Sequence, residues 1–592
     1  MQYVLVVTVG PVQGFIAAAR RSRDLWYGSN LLSELAKAAA LSLYNADAKL
    51  IFPAPEQPSD LNPDTALQAA NRIVAIIEGD VRTIAEQAQA QVQQRMQELW
   101  SAAQKNLHGP IDQEVADQQI RDLPEVTWVA TPLNGTYAQA RQRVEHLMAA
   151  RKATIAFVPV PWSANGQTKS SLDGQREAVI PENQYPKRTA STDQKAQTLY
   201  NKYGAGPGER LSGVDLLKRL GSKGHHVPST SHMAALPLVA RIAQGDIGRA
   251  TEAWNMYLEL VKRCGGELET YPKQADDRPY DRQVVGPYAG LLFAERLSDY
   301  LDPVPAQIQH CLSSFLALYA GKQQPLPYYA MLHADGDRMG ETISQLAKAG
   351  ANQHRELSRA LATFATNAQT IIERDHQGVL IYAGGDDVLA LLPLHTALKC
   401  TQQLADKFKT HMQAFGSTAV PAPTLSAGLA IVHHVEPLSD ALDLARAAEK
   451  RAKKVPGKNA LAITLSKRSG SDRTISGTWG EIDQRMKTFI RMHRNDDLPD
   501  GAAYQLQELA QMLPLPDDGM DRSLIEAARQ AEALRLLKRK RARRGTEDLD
   551  QEVRTELEGY LKSMRLGDLV DELIVARMFA SAEDLALMEV QP

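Results

Sequence analysis

Two short acidic stretches carry most of the chemistry open to this sequence. The first is YAGGDDVLALLP, residues 382 to 393, in which Gly384 and Gly385 stand after one apolar run and Asp386 and Asp387 lead into the next. Glycines between apolar strands admit the positive φ angles of a tight hairpin, which leaves two carboxylates at its tip. Taken alone, GGDD is also an ordinary Gly-Asp turn. The second stretch is HADGDRMG, residues 333 to 340, which puts Asp335, Gly336 and Asp337 at the end of another apolar run. If the two runs neighbour each other in a sheet, three or four carboxylates converge. Such a cluster repels itself, and hard oxygen ligands in that number favour Mg²⁺ or Mn²⁺ held together with substrate phosphates. A third stretch, EKRAKKVPGKNALAI, closes a helical pattern over 437 to 454 and places Lys454 and Lys458 four residues apart, within reach of a triphosphate. A Lys-rich helix C-terminus is also what the helix dipole selects by itself.

The elements around these stretches follow a repeated order. From 327 the pattern runs strand (327 to 335), helix (341 to 374), strands (379 to 383 and 388 to 392), helix (394 to 415), strand (424 to 432), helix (437 to 454) and strand (460 to 465). The N-terminal part reads strand (2 to 9), helix to about 45, strands (50 to 52 and 72 to 77), helix (80 to 107) and strand (126 to 130). Each is a ferredoxin-like βαββαβ unit, an antiparallel sheet with helices on one face. That topology sets the end of the first strand beside the hairpin of strands two and three, bringing 335 to 386 and 387. Residues 160 to 230 are rich in Gly, Pro and Ser and read as an irregular connector, with helical patterns at 234 to 262 and 287 to 319. From about 480 only helical patterns occur. The expected fold class is α+β, with domains at 1–160, 161–322, 323–475 and 476–592.

The 592 residues suffice for several domains, and 67 Lys and Arg against 70 Asp and Glu leave a net charge of -3. There is no global basic field, so any nucleic-acid contact must be local. Three cysteines, widely spaced and odd in number, argue against a disulfide framework or a four-cysteine zinc site and fit a reducing cytoplasm. The N-terminus lacks a basic leader and no 18-residue uncharged apolar run occurs, so neither export nor a membrane span is expected. Among weaker signals, Gly28, Ser29 and Asn30 precede the apolar run LLSELA, where free helix N–H groups bind phosphate or Ser29 simply caps the helix. His225, His226, His232, His433 and His434 lack metal-ligand spacing and read as structural or surface residues. The basic run LRLLKRKRARR, 534 to 544, is either a solvated helix balanced by the acids after it or a face for RNA backbone.

Taken together, these residues resemble a known family. The unit from about 325 to 465 resembles the palm domain shared by nucleotide cyclases and polymerases. The whole chain is similar to the large, polymerase-like subunit of type III-B (Cmr) CRISPR-Cas effector complexes. The likeness rests on GPVQGFIAAARRSRDLWYGSNLLSELA (10 to 36), GERLSGVDLLKRL (208 to 220), VPSTSHMAALP (227 to 237), HADGDRMG, YAGGDD and SAGLAIVHH through GKNALAI. The resemblance implies two palm domains, an intervening connector and a C-terminal helical bundle. It also implies ATP as substrate, Mg²⁺ or Mn²⁺, and RNA-triggered joining of AMP units into cyclic oligoadenylate, a second messenger of antiviral defence. The implied partners are other Cmr-type subunits, guide RNA and target RNA. Carried over, Asp335 and Asp386 are metal ligands, Asp387 is their companion acid and the backbone of Gly336 completes the metal site. Gly384, Gly385, Asp337, Ser29, Lys454 and Lys458 fall to the nucleotide.

Three departures from the family shape these expectations. The first palm begins at residue 2 and no His-Asp dipeptide occurs, so no HD nuclease and no DNA cleavage are expected. The connector has no cysteine before Cys264, and Ser212 stands where a zinc cysteine would, so no zinc is expected. The first palm has LIFPAPEQPSD in place of an acidic hairpin and reads as a silent partner that holds a second ATP. Two other functions stay open: a scaffold that binds RNA and ATP without chemistry, and a diguanylate cyclase, against which Val388 in place of a GGDEF signature speaks.

Overall fold

The computed structural model describes residues 1–65, 67–154, 168–186, 193–225, 227–266, 268, 284–301, 303–499, 501–514, 522–538 and 551–587. Among the described residues ten strands form two sheets. β1 (Gln2–Gly10), β2 (Lys49–Phe52), β3 (Arg72–Glu78) and β4 (Glu125–Pro132) lie in the order β2-β3-β1-β4. β5 (Tyr328–Gly336), β6 (Val379–Gly384), β7 (Asp387–Leu392), β8 (Leu425–His433), β9 (Ala460–Leu465) and β10 (Arg473–Thr478) lie in the order β10-β9-β8-β5-β7-β6. Both contain the antiparallel four-strand arrangement of a ferredoxin-like unit, and the second adds β9, parallel to β8, and β10.

The sheets are covered on both faces, not one. Leu5, Val7 and Val9 of β1 enter one core, and Val4 and Val6 enter another with Val144 and Met148 of helix Tyr137–Ala153. The second sheet lies between helices Ala351–Gln369 and Leu394–Met412 on one side and Leu438–Ala452 on the other. The unbroken apolar run of β1 already belongs to a doubly buried strand, since a half-exposed strand alternates. The polar edge strand β10 carries no such run and escaped the pattern, although Ile475 packs into the core.

Several helical expectations change: 341 to 374 breaks at Gly350, and 234 to 262 breaks between Ile242 and Ile247. The first long helix is interrupted: Gln13–Ala17 is separate, and Ser22–Asn45 begins after the extended Arg21. Pro287, Pro303 and Pro305 divide 287 to 319 into 3-10 turns and the helix Ala306–Tyr319. Within the connector, the described residues include helices Asp193–Tyr203 and Gly213–Gly221. Ser212 caps the second, and its hydroxyl and N–H both donate to Asp215. Arg219 of that helix is buried between Asp24, at 2.8 Å, and Glu209, at 3.0 Å, which fastens the connector to the N-terminus of helix Ser22–Asn45. The helices after 480 share one core with the second sheet, with Leu566–Ala586 packed on Ile482–Arg494 and Leu394–Met412.

Candidate active site

The hairpin Val379–Leu392 turns on two residues, because Gly384 pairs with Asp387. Gly385 takes φ +83° and Asp386 does not, as a two-residue turn with glycine first requires. β5 lies next to β7 with Asp335 opposite Asp387, and the Gly336 N–H donates to the Asp386 carbonyl at 3.1 Å. The outcome is a half-buried cluster in which carboxylate oxygens of Asp335, Asp386 and Asp387 lie within 4.8 Å of one another. Burial first and Asp387 second raise the Asp386 carboxyl to about 7. Asp387 is likewise raised by burial, against the pull of His333. Three acids this close, with the ionisation of Asp386 and Asp387 suppressed, are a donor set suited to a hard divalent cation.

A lysine and a glutamate that the motifs did not single out complete the site. Helix Leu438–Ala452 crosses β8 at Gly428, where any β-carbon would collide with the Glu449 backbone, and this close approach carries the helix C-terminus to the acids. Lys453 pairs with Asp335 and, at 3.3 Å, with Glu449. Burial, then Asp387 and Asp337, raise Glu449 to about 7. Burial, then Lys458, lower Lys453 to about 8. His333 lies 3.9 Å from Glu449 and is lowered to about 4, chiefly by burial. Glu449 and Lys453 stand four residues apart and share a helix face, whereas Lys454 points elsewhere and is exposed. That spacing was the available signal.

Several expected nucleotide residues do other work. Asp337 is buried, and its carboxylate accepts from Thr424 Oγ1 (2.8 Å), Ser426 Oγ (2.9 Å) and the Asn459 N–H (3.0 Å), tying β5 to β8 and to the turn carrying Lys458. Ser29 lies inside helix Ser22–Asn45 and is buried, so it neither caps a helix nor faces an open N-terminus. Gly28 there lies against the Lys218 stem, whose Cδ would come 3.3 Å from an added β-carbon. Gly384 leaves room for the Tyr382 ring, whose hydroxyl donates to the Gly384 carbonyl at 2.9 Å, whereas Gly385 faces open space. Lys458 is half-buried at φ +58° beside Lys453. His434 is buried and meets Ser231 Oγ at 2.8 Å, a structural contact between connector and second sheet. His226 and residues 539 to 544 of the basic run lie outside the described residues.

Residues 328–462 match the family model for the second palm domain of Cas10/Cmr2, and residues 4–105 match that for the N-terminal domain of the CRISPR-associated protein Cmr2. The CRISPR system Cmr subunit Cmr2 of Pyrococcus furiosus is 38% identical over 179 residues, covering 26% of this chain and 20% of that protein. The chain thus spans about a fifth of the length of the curated relative it matches. Among solved structures, a chain of the type III-B Cmr-beta complex in its apo state aligns over 98% of this chain and 82% of its own, at 13% identity and a TM-score of 0.62. The same complex bound to cognate target RNA aligns over 98% and 83%, at 14% identity and a TM-score of 0.62. At these identities the likeness is one of fold. No described helix is long and apolar enough to cross a membrane.

Proposed function

The chain belongs to the Cas10/Cmr2 family, and from that premise we propose that it joins AMP units from ATP into cyclic oligoadenylate when an RNA-guided complex captures its target RNA. The complex would comprise this chain, other Cmr-type subunits, guide RNA and target RNA. The convergence of Asp335, Asp386 and Asp387 within 4.8 Å carries this reading, because a scaffold has no use for three carboxylates that must be neutralised.

In this reading Asp335, Asp386 and Asp387 hold Mg²⁺ or Mn²⁺. The bound ions would supply polarisation of the phosphoryl oxygens and a lowered pKa for the attacking 3′-hydroxyl. The 3′-hydroxyl loses its proton to solvent and its oxygen bonds to the α-phosphorus of a second ATP as the α–β bridging P–O bond breaks and pyrophosphate leaves, so no side-chain nucleophile is needed. The chain supplies position and field: Gly336 and Asp337 fasten the strand end, and Gly385 leaves the hairpin tip open to the nucleotide. Lys453, paired with Asp335 and with Lys458 beside it, offers positive charge for the triphosphate.

The test is pyrophosphate release and product mass from the assembled complex given ATP, Mn²⁺ and matching RNA. D386A/D387A should reduce both by about 100-fold or more while RNA binding persists. Undiminished product from that variant would overturn the metal assignment, and RNA binding without product from the unaltered complex would favour the scaffold.

A further inference from the structure

Away from the acid cluster, a solvent-open groove of about 260 Å³ lies where the first sheet unit meets helix Ala351–Gln369. Tyr44 and Lys49 line one wall, Glu56 lies in the loop after β2, and Arg355 and Arg359 form the other wall. The walls are held in place. Lys49 Nζ donates to Asn352 Oδ1 at 2.8 Å, the Ala54 N–H donates to Ser358 Oγ at 3.0 Å, and the Phe52 ring packs on His354.

The charge in this groove is unbalanced. Among the described residues Arg355 and Arg359 form no ion pair, Arg355 Nε is buried without a hydrogen-bond partner, and the charged group Arg355 feels most is the like charge of Arg359. Glu56 is the single carboxylate lining the groove. A partly buried guanidinium without a counter-charge is costly unless an anion completes it. Arg355 and Arg359, four residues apart, stand one above the other along the helix, so their charges form a row instead of converging on one point. Each planar fork suits a phosphate, and the Tyr44 ring, 42% exposed, offers a stacking face beside them.

We propose that this groove, with Arg355, Arg359 and Lys49 on its walls and Tyr44 at its mouth, binds successive phosphates of a single-stranded nucleic acid. The site is independent of the carboxylate cluster and stands or falls without it.

The experiment is fluorescence anisotropy of a fluorescein-labelled single-stranded oligoribonucleotide with the full chain across a salt series. Arg355→Gln with Arg359→Gln should weaken binding about tenfold at low salt and flatten the slope of log K against log salt by about 1.4, the loss of two contacts at about 0.7 each. R355K/R359K should keep most of that slope, and R249Q/K262Q, which removes two surface charges elsewhere, should leave binding unchanged. Melting curves establish that each variant is folded. Equal affinity and slope in R355Q/R359Q would overturn the proposal, as would equal weakening in R249Q/K262Q. Calorimetry with inorganic phosphate and with ATP tests the other source: if R355Q/R359Q loses these small anions but keeps the oligonucleotide, the groove takes a free anion and the proposal fails.

Discussion

Burial and the Asp387 carboxylate keep Asp386 largely protonated up to about pH 7, while the proposed chemistry needs it ionised. A carboxyl whose folded pKa is raised costs the folded state nothing at pH 3 and below, under its unfolded value, where it is largely protonated folded and unfolded alike. The cost grows as pH climbs from 3 to 7 and is complete above 7. Asp386→Asn should therefore stabilise the metal-free chain by about 2 kcal/mol at pH 8, allowing for partial exposure, and hardly at all at pH 3. Thermal melts in chelator at the two pH values check this, and equal gains at both would remove the electrostatic explanation. Added Mn²⁺ should reverse the order, stabilising the unaltered chain more than D386N. At Lys453, K453M should reduce nucleotidyl transfer about tenfold or more, as loss of a charge-assisted contact does, while K454M stays near the unaltered rate; the reverse result would return the triphosphate to Lys454.

Two glycines test how the elements hold the acids. Gly385→Ala places a side chain at φ +83° and should cost about 1–2 kcal/mol, read by denaturant unfolding. Gly336→Ala introduces a β-carbon 2.8 Å from Asp386 Cβ and 3.0 Å from Phe408, so the hairpin tip must shift. It should lower activity far more than stability, and normal activity would mean that the spacing of Asp335 and Asp386 tolerates displacement. At this scale the sequence was legible where periodicity and turn chemistry agreed, as in β5, the hairpin and helix Leu394–Met412. It misled at Gly28 and Ser29, which lie inside a helix and not at its start, and it was silent at β10, a polar edge strand with the single apolar residue Ile475.

For the molecule as a whole, the joint between connector and first sheet unit rests on Arg219, buried with Asp24 and Glu209. Arg219→Met leaves buried Asp24 without its cation and Glu209 with only Arg21, at 3.7 Å, and should destabilise the chain by about 3–5 kcal/mol, measured as a lower melting temperature. An unchanged melt would mean that solvent reaches those acids once Arg219 is gone. What the chain's order of residues determined was local and repeated: two βαββαβ units, a glycine hairpin with acids at its tip and an acid pair ending the preceding strand. Those follow from side-chain period and backbone freedom, which act over a few residues. Tertiary structure alone decided that Lys453, not Lys454, meets Asp335, that Asp337 spends its oxygens on Thr424, Ser426 and Asn459, and that Ser29 is buried. Each depends on contacts between segments far apart in the chain, for Lys453 through the close approach of its helix to β8 at Gly428, and no local pattern records them.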